Sequence, residues 1–202
     1  MGSAFEITVV DDDANQANKH IDAAVAEIKR IENLISSWDK DSETSAINRN
    51  AGLKAIRVKK ELFQLIERAK GISKLTDGAF DISYAAVDRI WKFDGRMKQM
   101  PSAKEIKSSV AKVGAKHIEL DAKNSAVFLK KKGMKIGFGA IGKGYAADKA
   151  KALLQEQGVT AGIINASGDM SAWGSQPNGE PWRVAISNPM NKNKVFALMP
   201  FQ

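Results

Sequence analysis

Cysteine is absent from the 202 residues of the chain, and histidine occurs only as His20 and His117. The absence of cysteine excludes a disulfide framework, a thiolate nucleophile and a Cys-based zinc site. Two histidines disfavour a multi-histidine metal cage, and we interpret both as structural. No apolar run approaches the ~20 residues that a membrane-spanning helix needs, so we expect no transmembrane segment. Hydrophobic residues at 44% and charged residues at 27% are typical of a globular protein and exclude collagen-like, disordered and coiled-coil chains.

The net charge of +8 is distributed unevenly along the chain. Residues 1–50 contain five basic and ten acidic side chains, whereas residues 51–202 contain 26 and 13. A basic surface attracts nucleic acid or anionic ligands, but aromatic residues are sparse and the lysines are scattered, so we expect no nucleic-acid partner. No charged start precedes an apolar stretch of the kind that a signal peptide has. We therefore expect either a cytoplasmic protein or one whose leader has been removed.

Apolar periodicity predicts an α+β fold. Steps of three and four from Ile21 to Ile35 predict a long amphipathic helix that begins after Asp13. Further predicted helices are Leu62–Ile72, Ser102–Val113 with Ser102 as its N-cap, and Tyr145–Gln155, which we expect Gly158 to end. The predicted strands are Phe5–Val10, Leu53–Val58, Val127–Leu129, Met134–Phe138, Ala161–Asn165, Trp182–Ile186 and Val195–Leu198, with a hairpin turn at Lys130–Gly133. This order favours helices packed on a largely antiparallel sheet in a single domain over residues 1–202.

A glycine-rich segment, Gly137–Tyr145, lies between a predicted strand and a predicted helix. Glycines let backbone N–H groups approach an anion, and a helix N-terminus favours negative charge. Lys143 adds a point charge suited to phosphate. The segment fits most of a P-loop pattern, but Gly144 stands where that motif needs a Ser or Thr hydroxyl for Mg²⁺. We therefore favour a phosphate-binding loop of another kind, with a tight turn carrying a surface lysine as the alternative.

Three other features have both a functional and a structural interpretation. In Thr76–Ile82 two carboxylates flank a turn, which is the functional interpretation. The structural interpretation is that the Asp-Gly pair ends a helix. Asn165–Asp169 follows an apolar strand, and its small residues either approach a ligand or form a simple turn. Trp38 either stacks on a flat ring or packs in the protein. Ser167 has no histidine nearby, so we give a hydrolase triad little weight.

The ordered set of motifs resembles the FAD:protein FMN transferase family, also called ApbE. Any one motif is weak, but their order is specific and spans essentially the whole chain. The segments that carry the resemblance are Met1–Phe5, Ser37–Asn48, Thr76–Ile82, Trp91–Phe93, Gly142–Asp148, Asn165–Asp169 and Pro181–Pro189.

The resemblance implies a T-shaped fold, an FAD site and Mg²⁺. It implies an enzyme that transfers the FMN moiety of FAD to a threonine hydroxyl of an acceptor flavoprotein and releases AMP. Ala140 would offer its backbone carbonyl to Mg²⁺. Family members commonly have an acidic residue where this chain has Gly137. The positions implied to contact FAD are Met1, Trp38, Ala79, Phe80, Asp81, Gly137 and Lys143.

The resemblance also implies that the family continues beyond the last residue of this chain. The remaining part carries a histidine-containing segment and the Asp and Thr that complete the metal site. We therefore expect a C-terminally truncated enzyme that is inactive alone, with its catalytic residues outside the chain. FAD hydrolysis to FMN and AMP and non-catalytic FAD binding stay open as alternatives. The implied acceptor is a subunit of a membrane redox complex, so a periplasmic lipoprotein is expected, with a cytoplasmic protein as the alternative.

Overall fold

A computed structural model of the protein describes residues 2–87, 90 and 99–201. Five α-helices and eight strands lie in these residues. The helices are α1 (Ala14–Ile35), α2 (Glu43–Arg49), α3 (Lys60–Leu75), α4 (Ala103–Ser109) and α5 (Gly142–Glu156), and two 3₁₀ turns cover Ile82–Ala86 and Ala115–His117. The strands are β1 (Glu6–Val9), β2 (Ile56–Arg57), β3 (Ile118–Asp121), β4 (Ala126–Leu129), β5 (Gly162–Ala166), β6 (Asp169–Trp173), β7 (Trp182–Asn188) and β8 (Asn191–Phe201).

The chain divides into two compact units. The terminal unit contains Met1–Glu32 and Ile141–Gln202, and the central unit contains Asn33–Ala140. All strand pairs in the described residues are antiparallel, which agrees with the predicted α+β class. The strands form separate sheets in the orders β1-β5-β6, β2-β4-β3 and β7-β8.

The core of the terminal unit lies around α5 and the sheet β1-β5-β6. Ala147, Ala150 and Leu154 place small and apolar side chains on one face of α5. Short alanine side chains let a helix approach a sheet closely. The helix ends at Glu156, and Gly158 follows with a φ of +88°, as predicted. A Cβ on Gly162 would lie 2.6 Å from the Thr8 carbonyl oxygen, so only glycine fits where β5 passes β1.

The central unit is built from α2, α3, α4 and the sheet β2-β4-β3. Ile118 pairs with Leu129 and Leu120 with Val127 in the antiparallel register of β3 and β4. The α3 helix has the predicted amphipathic character, and its buried residues are Leu62, Phe63, Leu65, Ile66, Ala69 and Ser73. Ser102 caps α4 as predicted, in a reciprocal pair of hydrogen bonds with Glu105.

Several element predictions are wrong. Met134–Phe138 forms no strand, and β4 pairs instead with β3, which precedes it, and with β2. Apolar residues at alternate positions produced the error. Such a period of two is typical of a half-buried strand, but it does not identify a strand with which the segment would pair. The strand predicted over Leu53–Val58 shrinks to Ile56–Arg57, and the helix predicted over Ser102–Val113 ends at Ser109. The elements α2, β3 and β6 were not predicted.

The β7-β8 ribbon has two strands, and both carry exposed apolar side chains. Val195, Phe196 and Leu198 are more than half exposed. The pairing register shifts on either side of Ser187. No helix within residues 2–87, 90 and 99–201 combines the length and apolarity that a bilayer-crossing segment requires.

Candidate functional site

A cleft of about 920 Å³ opens in the central unit. This volume lies within the range of ~300–1,000 Å³ that small-molecule and cofactor sites occupy. The cleft lies among the loop after α1, α2, the 3₁₀ turn at Ile82–Ala86 and the glycine-rich segment. Its lining residues are Ser37, Trp38, Lys40, Ser45, Asn48, Arg49, Tyr84, Ala85, Val87, Lys135, Gly137, Phe138 and Gly139.

Trp38 is presented by a loop whose backbone is tied to a serine. The Ser36 hydroxyl oxygen accepts hydrogen bonds from the N–H groups of Trp38 at 3.2 Å and Asp39 at 3.0 Å. The Ser42 hydroxyl in turn donates to the Ser36 carbonyl oxygen and also caps α2. Trp38 is 83% exposed, which is a large exposure for an apolar ring. A fixed loop with an accessible indole offers a stacking surface to a planar ligand.

Gly137 and Gly139 form a wall of the cleft with no room for side chains. A Cβ on Gly139 would approach the Tyr84 hydroxyl to less than 3.0 Å. A Cβ on Gly137 would lie 3.1 Å from the Ala85 Cβ. The Gly137 N–H group donates to the Ile82 carbonyl oxygen at 2.9 Å, which attaches this wall to the turn that carries Tyr84. A side chain at Gly139 would therefore force Tyr84 to move, and one at Gly137 would require a smaller adjustment beside Ala85.

The charged groups around the cleft are cationic. Lys40, Arg49 and Lys135 line it, and no Asp or Glu is among the described residues that do so. The Arg49 guanidinium donates to the Lys40 carbonyl oxygen, which fixes the position of Arg49 beside the loop of Trp38. A concave surface with one sign of charge attracts ligands of the opposite sign, and these groups suit phosphate.

Asp81 is engaged in structural hydrogen bonds. Its Oδ1 accepts from the Ser83 N–H at 2.8 Å and from the Ser83 hydroxyl at 2.7 Å, and its Oδ2 accepts from the Ala115 N–H at 2.7 Å. The carboxylate thereby caps the turn that holds Tyr84 and Ala85. Ala79, Phe80 and Asp81 are outside the lining of the cleft, so their contact with a flavin stays a prediction.

The Asp77-Gly78 pair ends α3, which confirms the structural interpretation of that pair. Asp77 and Gly78 have φ values of +50° and +82°. The Gly78 N–H group donates to the Ser73 carbonyl oxygen at 2.8 Å. This hydrogen bond satisfies a carbonyl of the last turn, as a left-handed residue after a helix does.

The terminal unit brings together two motifs that lie far apart in the sequence. The Lys143 Nζ atom, in the first turn of α5, lies 3.0 Å from Asp169 Oδ2 and 3.4 Å from the Ser167 carbonyl oxygen. The Asn165 Oδ1 atom accepts from the Gly168 N–H at 2.9 Å, and Ser167 and Gly168 form the turn between β5 and β6. Exposed ion pairs contribute only about 0–1 kcal/mol, so an anionic ligand can compete with Asp169 for Lys143.

Magnesium does not fit the side chains that the structure describes. Mg²⁺ prefers an octahedral shell of oxygen ligands. Within residues 2–87, 90 and 99–201, no group of three His, Asp or Glu side chains is placed to hold a metal ion. The assignment of the Ala140 carbonyl to Mg²⁺ stays a prediction, and the function proposed below contains no step through a metal.

The structure gathers some of the predicted site residues and separates others. Trp38 and Gly137 line the same cleft, Lys143 lies in the terminal unit, and Met1 and Trp91–Phe93 lie outside the described residues. Four further residues line the cleft and were not predicted as site residues: Asn48, Arg49, Tyr84 and Lys135. The alternation that produced the wrong strand also places Lys135, Gly137 and Gly139 on one side of an extended segment, which was a usable signal. Nothing in the sequence pointed to Tyr84.

Two solved structures resemble the fold over nearly the whole chain. The ApbE protein of Thermotoga maritima matches with a TM-score of 0.87 and 29% identity, over 99% of this chain and 64% of that one. The apo form of the Pseudomonas stutzeri flavinyl transferase ApbE matches with a TM-score of 0.82 and 25% identity, over 99% of this chain and 63% of that one. The α+β class that the sequence predicted is thereby confirmed.

Curated relatives carry the same family name. A Klebsiella pneumoniae FAD:protein FMN transferase is 31% identical over 80% of this chain, and a Salmonella typhimurium one is 28% identical over 98%. The chain spans 49% and 58% of the lengths of these two relatives. The sequence profile of the ApbE family matches residues 1–202. The resemblance inferred from the ordered motifs is therefore confirmed, and the chain belongs to the ApbE family.

Proposed function

We propose that this chain forms the flavin-nucleotide-binding part of an FAD:protein FMN transferase. The relatives bear that name, and the cleft of the central unit supports the proposal by its shape and charge. FAD has a flat tricyclic ring at one end and two phosphates in its middle. An exposed indole and three cations around one cleft match both features. This combination at Trp38 is the observation that carries the proposal.

The proposed reaction is a phosphoryl transfer from FAD to a threonine. The threonine oxygen of the acceptor flavoprotein forms a bond to the phosphorus on the FMN side of the diphosphate. The bond from that phosphorus to the bridging oxygen breaks, AMP leaves with this oxygen, and the hydroxyl proton is released. In such a reaction the protein mainly positions the reactants and compensates charge. Lys40, Arg49 and Lys135 are suited to compensating charge in the cleft.

Lys143, in the terminal unit, is proposed as a separate contact with phosphate. Lys143 would exchange its ion pair with Asp169 for a phosphate oxygen. The contacts of Met1, Ala79, Phe80 and Asp81 with the flavin, and that of the Ala140 carbonyl with Mg²⁺, belong to the same proposal. The contacts with the flavin are tested one at a time by substitution. Because no substitution removes a backbone carbonyl, the contact of Ala140 is tested by whether Mg²⁺ changes the FAD Kd.

Flavin binding is tested by titrating the chain with FAD and following flavin fluorescence. Stacking on an indole quenches flavin emission, so we expect quenching that saturates with a single Kd. Trp38→Ala should weaken binding by about tenfold, which corresponds to ~1.4 kcal/mol. Phe196→Ala, which removes an exposed aromatic ring from the terminal unit, is the matched control and should leave the Kd unchanged. Equal Kd values for the two variants would contradict a flavin site at Trp38.

Transfer is tested by mass spectrometry of an acceptor flavoprotein incubated with FAD, Mg²⁺ and the protein. A gain of the FMN moiety on the threonine, lost when that threonine is changed to alanine, supports transfer. Free FMN and AMP without a modified acceptor support hydrolysis. FAD binding without either product supports a non-catalytic flavin-binding part, and full activity of residues 1–202 alone would contradict the expectation that the catalytic residues lie elsewhere.

An extracytoplasmic membrane acceptor and a lipoprotein anchor are also part of the proposal. They derive only from the family resemblance. Cell fractionation of the native polypeptide tests them: recovery in the membrane or periplasmic fraction supports this location, and recovery in the cytosol contradicts it.

A further inference from the structure

The segment Met134–Phe138 has no regular secondary structure and belongs to no ladder among the described strands. Met134, Ile136 and Phe138 are buried, with exposed fractions of 0%, 0% and 4%. Polar backbone groups in a buried segment need partners, because an unsatisfied N–H or C=O group there is costly. The partners of Ile136 come from a side chain instead of a neighbouring strand.

That side chain is Asn48, near the end of α2. The Ile136 N–H group donates to Asn48 Oδ1 at 2.8 Å, and Asn48 Nδ2 donates to the Ile136 carbonyl oxygen at 3.0 Å. The two bonds reproduce the paired exchange that an antiparallel strand would supply. Because the Ile136 N–H can only donate, the orientation of the amide is fixed by its partners. Of the twenty side chains, only the amides of Asn and Gln offer a donor and an acceptor in this planar arrangement.

The α2 helix, which carries Asn48 near its last residue, is held in place at its first turn. The Ser42 hydroxyl caps the helix by accepting from the Ser45 N–H. Thr44, which is fully buried, donates its hydroxyl to the Leu34 carbonyl oxygen at 3.2 Å. The amide therefore projects from an anchored helix, and Ile136 is the part whose position it determines.

Ile136 immediately precedes the glycine wall of the cleft. Gly137, Phe138 and Gly139 all line it, as does Asn48. Gly137 is bonded to the Ile82 carbonyl oxygen, and Gly139 packs closely against Tyr84. The wall thus has little freedom on the Tyr84 side, and a displacement of Ile136 would change the distance from this wall to Trp38.

We propose that Asn48 is a positioning residue, which sets the glycine wall of the cleft at the spacing that a flavin nucleotide requires. This inference rests on the proposed function, since the ligand is the one proposed there. Asn48 acts through the backbone of Ile136. Loss of the Asn48 amide would alter how the flavin ring is held in the cleft, in addition to any effect on the stability of the fold.

The test compares Asn48→Ala with Asn50→Ala. Asn50 lies two residues further along and donates its side-chain amide to the Ala46 carbonyl oxygen at 2.9 Å, so its removal costs a similar hydrogen bond without touching Ile136. We expect Asn48→Ala to raise the FAD Kd by about tenfold or more and Asn50→Ala to change it by less than about twofold. At saturating FAD, the visible absorption spectrum of the bound flavin should change only in Asn48→Ala.

Amide hydrogen exchange without FAD reports on the segment directly. In Asn48→Ala the Ile136 and Gly137 amides should exchange at least about tenfold faster than in Asn50→Ala. If Asn48→Ala does not fold, Asn48→Asp serves with Asn50→Asp as its control. The carboxylate still accepts from the Ile136 N–H but repels the Ile136 carbonyl oxygen. The segment therefore loses one of its two bonds, and its amides should exchange faster than in Asn50→Asp while FAD binding weakens.

Two outcomes would overturn the inference. A raised Kd with unchanged exchange would mean that Asn48 contacts the ligand itself. Faster exchange with an unchanged Kd and spectrum would mean that the amide only stabilises the fold. Failure of wild-type protein to bind FAD would instead overturn the proposed function, and the role assigned to Asn48 toward a flavin would fall with it. Exchange at Ile136 would then decide separately whether Asn48 holds the segment.

Discussion

Adding one methyl group at Gly139 tests the geometry of the cleft. The new Cβ would lie less than 3.0 Å from the Tyr84 hydroxyl oxygen, whereas its distance to the ring carbon that bears this hydroxyl would be 3.7 Å. The first distance is too short for two atoms that are not bonded, so the Tyr84 side chain would have to move. The second distance is an ordinary van der Waals contact. The conflict in Gly139→Ala is therefore with a single oxygen atom, which Tyr84→Phe removes.

The size of the effect follows from how easily Tyr84 can move. Overpacking a well-packed site costs about 1–3 kcal/mol. Tyr84 is 45% exposed, so its ring can turn toward solvent, and the cost should lie near the lower end, at about 1 kcal/mol. We expect Gly139→Ala to lower the free energy of unfolding by about this amount and to raise the FAD Kd by about fivefold.

The assay is a double-mutant cycle with urea unfolding and FAD titration as its two measurements. In the Tyr84→Phe background, Gly139→Ala should cost almost nothing, so the coupling energy should be about 1 kcal/mol. Gly71→Ala is the control. It lies inside α3, a Cβ there would meet nothing within 4 Å, and it should stabilise the protein by about 0.5–1 kcal/mol. Equal costs of Gly139→Ala in the Tyr84 and Tyr84→Phe backgrounds would refute the reasoning.

Three further changes test other parts of the structure. Ser102→Ala removes the cap of α4 and should cost about 1 kcal/mol in urea unfolding; an unchanged midpoint would contradict the capping geometry. Leu154→Ala empties a fully buried position in the core of the terminal unit and should cost about 2–5 kcal/mol in the same assay. Burial and then Lys131 hold the pKa of His117 below its usual 6.5. Because the unfolded chain takes up that proton first, stability should fall as the pH is lowered through 6.5. Lys131→Ala should raise the pKa in an NMR titration, and a lower or unchanged value would contradict this cause.

Local sequence signals predicted four of the five described α-helices, and α2 was missed. The apolar steps of α1, the serine before α4 and the glycine after α5 each act within a few residues, so the sequence displays them directly. The strands were predicted less well, because a ladder partner is chosen by the tertiary fold. Met134–Phe138 shows this limit: its apolar residues Met134, Ile136 and Phe138 are buried, but the predicted hairpin with β4 is wrong.

The residues of the candidate site were likewise predicted only in part. Trp38 and Gly137 were predicted as site residues and line one cleft, whereas Arg49 and Lys135 joined them only in the folded chain. The carboxylate of Asp81 looked available for chemistry in the sequence, but three hydrogen bonds from residues 83 and 115 occupy it.

By itself the sequence determined the family, the α+β class and most helix boundaries, because these depend on ordered motifs and on interactions between near neighbours. Only the tertiary structure determined which distant segments of the chain contact each other. It brought Asn48 to Ile136 across 88 positions and Lys143 to Asp169, and it placed the Tyr84 hydroxyl against Gly139. Such contacts leave no periodic trace in a single sequence, since they depend on where separate elements pack.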